Sequence, residues 1–131
     1  MFKVIHHVGI VTEDIIEAQN KLKQFGLDPG KIIEDTDQDV KVCLALSPNN
    51  YAIELVAPLS EKSPALSWLK RIKSGVYHIC FEVEDINLSE PTLRNQGFIP
   101  TSKKTYSPLF ETSVQFFFSP LLGLIELLEK K

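Results

Sequence analysis

A chain of 131 residues, 44% apolar and 24% charged, has the makeup of one globular domain with a real core. Its net charge of −3 argues against a dedicated nucleic-acid binder, and no apolar run is long enough to cross a membrane. The first residues enter a strand pattern without the apolar core of a secretory signal, and Cys43 and Cys80 lie in apolar runs rather than in a CxxC, so reduced thiols in a cytoplasmic protein are expected.

In chain order, Lys3 to Val11 alternates as a strand that puts His7, Gly9 and Val11 on one face and Val8 and Ile10 on the other; His6 should face away from His7. Asp14 and Glu17 have the spacing of a carboxylate cap and capping box. Ile15, Ala18, Leu22 and Phe25 follow at helical spacing, and Gly26 closes the helix. A short strand is expected near Lys31 to Glu34, then strands at Val40 to Leu46 and Tyr51 to Val56 joined by the turn Ser47-Pro48-Asn49-Asn50. Ser63-Pro64 opens a linker helix from Ala65 to Ile72, whose basic end (Lys70, Arg71, Lys73) suits the helix dipole. These cations, and Lys103 and Lys104 further on, read as a solvated helix end and a loop rather than a phosphate site. Gly75 to Val83 is the next strand. Pro91 would break a helix begun at Asp85, so a shorter helix capped by Ser89 is expected. Strands near Phe98 to Thr101, at Ser113 to Phe118 and at Gly123 to Leu128 complete the chain.

The order of elements is the same twice because the sequence is. VIHHVGIVTEDIIEAQNKLKQFGLDP matches GVYHICFEVEDINLSEPTLRNQGFIP with a constant offset of 71 residues, which relates His7 to His78, Asp14 to Asp85, Gly26 to Gly97 and Pro29 to Pro100. SPNNYAIELV matches SPLLGLIELL with an offset of 72, which relates Glu54 to Glu126. This is a duplication of about half the chain, too short for a solenoid array. The expected fold is α+β: two βαβββ modules, residues 1–56 and 75–131, joined by a linker helix within 57–74. Together they would form one domain with an eight-stranded curved sheet around a metal cleft.

The repeat singles out one His and one Glu per module. Glu54 and Glu126 are each the only ionisable residue in an apolar run, AIELV and LIELL, and burying a lone carboxylate is costly unless it meets a partner or a metal. A single His on a strand is more often a core or surface residue than a ligand, and a Glu between apolar neighbours is more often the solvent-facing member of an alternating strand. Recurrence of both in both halves shifts the balance toward a site, because a conserved strand pattern alone gives no reason to keep these side chains while their neighbours drift. Two imidazoles and two carboxylates, His7, Glu54, His78 and Glu126, would suit Zn, Ni, Co, Mn or Fe and leave two positions for a substrate with neighbouring oxygens.

At these residues the chain resembles the glyoxalase / vicinal oxygen chelate superfamily. IHHVGIV, YHICFEVEDI and GLIELLEK match its strand motifs. ELVAPL followed by KSPALSWLKR, and DQDVKVCLAL with Gln38, resemble the methylmalonyl-CoA epimerase branch. The resemblance implies metal ligation by His7, Glu54, His78 and Glu126, and proton transfer beside a carbonyl of an acyl-CoA thioester, with Glu126 as base and Glu54 second. It also implies a homodimer. Epimerases can carry Gln at this place, whereas the Glu found here, Glu54, is as in glyoxalase I, so lactoylglutathione lyase chemistry on a glutathione adduct is the alternative. A non-catalytic ligand-sequestering protein and an extradiol-dioxygenase relative are further readings, and four intact ligands count against both. Two departures bear on the substrate: Val42 stands where one epimerase carries a second candidate base, and the loop TYSPLFETS, with Tyr106, Phe110 and Glu111, replaces a Gly-rich one.

Overall fold

The computed structural model describes the backbone of residues 2–131 and the side chains of residues 4–131. The chain divides into two compact units. One is His7–Tyr77; the other joins the chain up to His6 with His78–Lys131. Apart from α2, both carry the same sequence of elements, so the α+β class and the repeated βαβββ order are as expected.

In the first unit, the inner half of β1 (Phe2–Val11) is followed by α1 (Ile15–Lys23), β2 (Asp28–Pro29), β3 (Ile33–Asp35), β4 (Val40–Leu46), β5 (Ala52–Pro58) and α2 (Pro64–Ile72). β1 runs parallel to β5, which needs a crossover; β5 and β4 are antiparallel, and β2 and β3 both pair with β4. The short strand expected near Lys31 to Glu34 is β3; a further piece, β2, precedes it, and between the two the Gly30 N–H donates to the Leu44 carbonyl at 2.8 Å. A Cβ on Gly30 would stand 3.0 Å from that same oxygen, so a side chain there is disfavoured.

α1 starts as its cap demands. The Asp14 carboxylate accepts from the Glu17 N–H at 3.0 Å. The other half of the expected capping box differs: the Asp14 N–H donates to the Thr12 hydroxyl at 3.3 Å, not to Glu17. Gly26, at φ +81°, turns the chain out of the helix, and the Leu27 N–H returns to the Leu22 carbonyl at 3.3 Å. Ile15 is buried with Cys43, Leu55 and Ala57, and Ala18 and Leu22 pack against them. Phe25 does not join this core. It lies beyond the last turn and is 80% exposed.

The second unit holds β6 (Gly75–Val83), α3 (Ile86–Asn95), β7 (Ile99–Pro100), β8 (Thr105–Ser107), β9 (Thr112–Ser119) and β10 (Gly123–Glu129). β6 is parallel to β10, β10 antiparallel to β9, and β7 and β8 pair with β9. Its core gathers Val83, Ile86, Leu93, Phe117, Ile125 and Leu127 beneath α3. The TYSPLFETS stretch is not all loop. Tyr106 lies on β8 and is exposed, Phe110 is buried, and Glu111 takes the turn at φ +56°. With five strands in each half, the described residues form ten strands rather than eight.

α3 corrects the expectation that Ser89 would cap a shorter helix. It begins after Asp85, whose carboxylate accepts from the Leu88 N–H at 3.2 Å, and Pro91 sits inside it. The missing Pro91 N–H removes one intrahelical bond. Against that loss, Glu129 from β10 accepts from the Ile86 N–H at 2.8 Å, and its carboxylate lies 3.2 Å from the Lys104 ammonium. A partner 43 residues away secures the first turn, so local sequence could not place it. Glu129→Ala is expected to cost about 1 kcal/mol, the usual worth of a lost helix-terminal cap, seen as a modest drop in the thermal midpoint. An unchanged midpoint would mean that Asp85 holds the helix start alone.

Candidate metal centre

β1 and β5 position the first pair of candidate residues. In a parallel sheet, directly paired residues share a face, and β1 pairs Gly9 with Glu54. His7 is two residues before Gly9 and so lies on that face. Its Nε2 is 3.2 Å from the Glu54 Oε1. β6 and β10 position the second pair in the same register. Cys80 pairs with Glu126, His78 is two residues before Cys80, and His78 Nε2 is 3.1 Å from Glu126 Oε1. The next strand repeats the register too: Glu54 faces Leu44 on β4, and Glu126 faces Phe116 on β9.

All four side chains are buried, at 1% exposure for His7, 6% for Glu54, 2% for His78 and 3% for Glu126. The alternative that these glutamates are solvent-facing members of their strands is thereby excluded. A buried carboxylate against an imidazole has two physical readings: a hydrogen-bonded pair, or two ligands of one ion. Ligands about 2.1 Å from a divalent ion and at right angles stand about 3 Å apart. Both observed separations, 3.2 and 3.1 Å, fit that spacing, and the N/O donor set fits a borderline divalent ion. The same geometry occurs once in each module, in the same register.

This chain belongs to the glyoxalase/bleomycin resistance protein/dioxygenase superfamily. Residues 6–118 match that family. Among its relatives, the chain is 35% identical to the ethylmalonyl-CoA/methylmalonyl-CoA epimerase of Cereibacter sphaeroides over 95 residues, 71% of this chain and 70% of that protein. It is 34% identical to the mitochondrial methylmalonyl-CoA epimerase of Dictyostelium discoideum over 68% of its own length, and spans 54% of that protein. The structure of the methylmalonyl-CoA epimerase from Mycobacterium tuberculosis superposes with a TM-score of 0.84 at 25% identity, covering 97% of this chain and 87% of that one. The superfamily is the one that IHHVGIV, YHICFEVEDI and GLIELLEK resemble, and the epimerase relatives are of the branch that ELVAPL with KSPALSWLKR and DQDVKVCLAL resemble.

Around the two pairs the modules differ. The His78 ring meets Phe116 edge to face, with centroids 5.2 Å apart. In the first module the residue in the place of Phe116 is the aliphatic Leu44. Of the residues singled out near the site, Val42 is buried on β4, and Phe110 packs its ring edge-on against His6 at 5.2 Å. The loop motif singles out Tyr106 and Phe110 and leaves Phe116 unmarked. The available signal was its register: it lies 72 residues after Leu44, the offset that relates the two glutamates.

Cys43 and Cys80 are free and buried. Burial pushes the Cys43 thiol up; the hydrogen bond from Gln19, 3.5 Å away, opposes that rise, and the Glu54 carboxylate adds to it. The native protein is therefore expected to show no thiol titratable by a disulfide reagent at neutral pH until denaturant is added. Rapid reaction of one thiol in the native state would contradict the burial of that cysteine.

Lys70, Arg71, Lys73, Lys103 and Lys104 are exposed. Arg71 lies over the Trp68 ring at 5.5 Å, and Trp68 in turn leans on Tyr77 at 5.9 Å. Among the described residues no helix is long and apolar enough to cross a membrane.

Proposed function

We propose that the protein is a divalent-metal-dependent epimerase of 2-substituted malonyl-CoA thioesters, with His7, Glu54, His78 and Glu126 as the ligands of one ion (Zn, Ni, Co or Mn) and the two modules acting as one domain. One observation carries this reading: a buried His–Glu pair with ligand spacing recurs in the same register in both halves of a chain whose relatives are epimerases.

When bound, a divalent ion supplies stabilisation of the negative charge that develops on the substrate carbonyl as the neighbouring C–H loses its proton. The chain's own residues do the rest. His7 and His78 are neutral nitrogen donors, fixed by burial in their strands. Glu126 takes the proton and Glu54 is the second base. Inverting a carbon requires a proton to leave one face and another to arrive at the opposite face, so two proton carriers are needed, and Glu126 and Glu54 are assigned those parts. The apolar residues beside each glutamate keep bulk water from competing for the proton. In this reading the enzyme works in the cytoplasm, as a homodimer, on a small-molecule thioester.

The test is a pair of assays on metal-reconstituted protein: solvent deuterium incorporation at the 2-position of methylmalonyl-CoA, and isomerisation of a glutathione hemithioacetal. Incorporation in the first and none of the second is expected. The reverse would make the protein a lactoylglutathione lyase. Neither activity, with metal bound, would leave a ligand-sequestering protein.

A further inference from the structure

We infer that Phe116 sets the size of the substituent accepted on the reacting carbon. This rests on the epimerase reading and on Glu126 as the base. Phe116 and Glu126 are direct antiparallel partners, so their side chains leave the sheet on the same face as neighbours. Side chains so placed have Cβ atoms about 5 Å apart. A C–H presented to the Glu126 carboxylate within about 3 Å therefore lies within reach of the Phe116 ring. The ring is not sealed in the core. Phe116 is half-buried, whereas its neighbours Gln115 and Phe117 are buried. Its edge-to-face contact with His78 holds one side of the ring and fixes its plane.

The duplication supplies the contrast. In the first module the residue facing Glu54 is Leu44, and those facing the flanking positions of β5 are also aliphatic: Val42 against Val56 and Leu46 against Ala52. In the second, Phe118 faces Leu124 on one side of the Phe116–Glu126 pair and Val114 faces Leu128 on the other. The residue directly facing Glu126 is thus aromatic and rigid, and the one facing Glu54 is aliphatic. A planar ring held by an imidazole cannot shrink out of the way of an added methylene as a leucine side chain can. The substituent next to Glu126 is therefore the one that is gauged, and a small alkyl group such as methyl is favoured over longer ones.

The test compares wild type with Phe116→Ala and Phe116→Leu, all reconstituted with metal, on methylmalonyl-CoA and ethylmalonyl-CoA. The ratio of the two kcat/KM values is the readout, because any general loosening of His78 lowers both alike. The ratio of ethyl to methyl is expected to rise about tenfold or more in Phe116→Ala, the worth of one methylene in an apolar pocket, and less in Phe116→Leu. Calorimetric binding of propionyl-CoA and butyryl-CoA supplies a second readout without turnover, and the butyryl preference is expected to rise in parallel. An unmoved ratio in an active wild-type background overturns the inference and leaves the epimerase reading standing. A ratio moved by Leu44→Ala instead places the reacting carbon at Glu54, and likewise overturns it. A wild type that turns over neither thioester overturns the epimerase reading, and this inference with it.

Discussion

His7→Ala and His78→Ala are each expected to abolish stoichiometric metal binding and to lower the epimerase rate by roughly a thousandfold, the factor equivalent to several kcal/mol of charge stabilisation lost with the ion. Each histidine is buried and stands 3.1 to 3.2 Å from its glutamate, so its removal leaves a cavity and a carboxylate without its imidazole. The two variants should behave alike, because the register around them is the same in both modules. Metal analysis of protein purified without chelator, before and after reconstitution, checks this. Loss of metal in one variant and full retention in the other would show that the two pairs do not serve a common ion. If either variant is poorly folded, His→Gln at the same position keeps most of the volume and still removes the imidazole nitrogen donor.

Glu126→Gln separates the base from the ligand. An amide oxygen is still a neutral oxygen donor, so the ion is expected to stay bound. It cannot take a proton, so the rate should fall by about 10² to 10⁴, the range that general-base catalysis supplies. The matching change Glu54→Gln is expected to lower inversion by a comparable factor, because the apolar surroundings keep water from standing in for the second base. Rates and metal content are to be measured on the same preparations. A Glu126→Gln enzyme that keeps full activity with metal bound would transfer the role of base to Glu54, and a variant that loses its metal would show that the charge on Glu126 is needed for ligation itself.

Much of the architecture was legible in the chain. The apolar runs at Gly75 to Val83 and at Val40 to Leu46, each bounded by turn residues, mark both strands to their ends. The cap at Asp14 and the turn glycine Gly26 were readable because helix ends are local chemistry. What escaped was settled at a distance. β8 lies in a stretch with a proline and no alternation, and becomes a strand by pairing with β9. α3 starts at its Asp85 cap although Pro91 argues against it, because Glu129 reaches back to the Ile86 N–H. Phe25 carries helical spacing into a turn, where spacing no longer predicts burial.

The candidate site divides the same way. Duplication wrote one histidine and one glutamate into each half of the sequence, and an ionisable residue in the middle of an apolar run can be recognised without coordinates. Sequence alone left open whether Glu54 and Glu126 faced water, since alternation specifies two faces and does not say which is inside. Parallel pairing of β1 with β5 and of β6 with β10 decided that, by bringing each carboxylate against its imidazole under cover. Pairing of β9 with β10 likewise placed the Phe116 ring beside Glu126, because the neighbour of a strand residue is set by hydrogen-bond register between segments and not by distance along the chain.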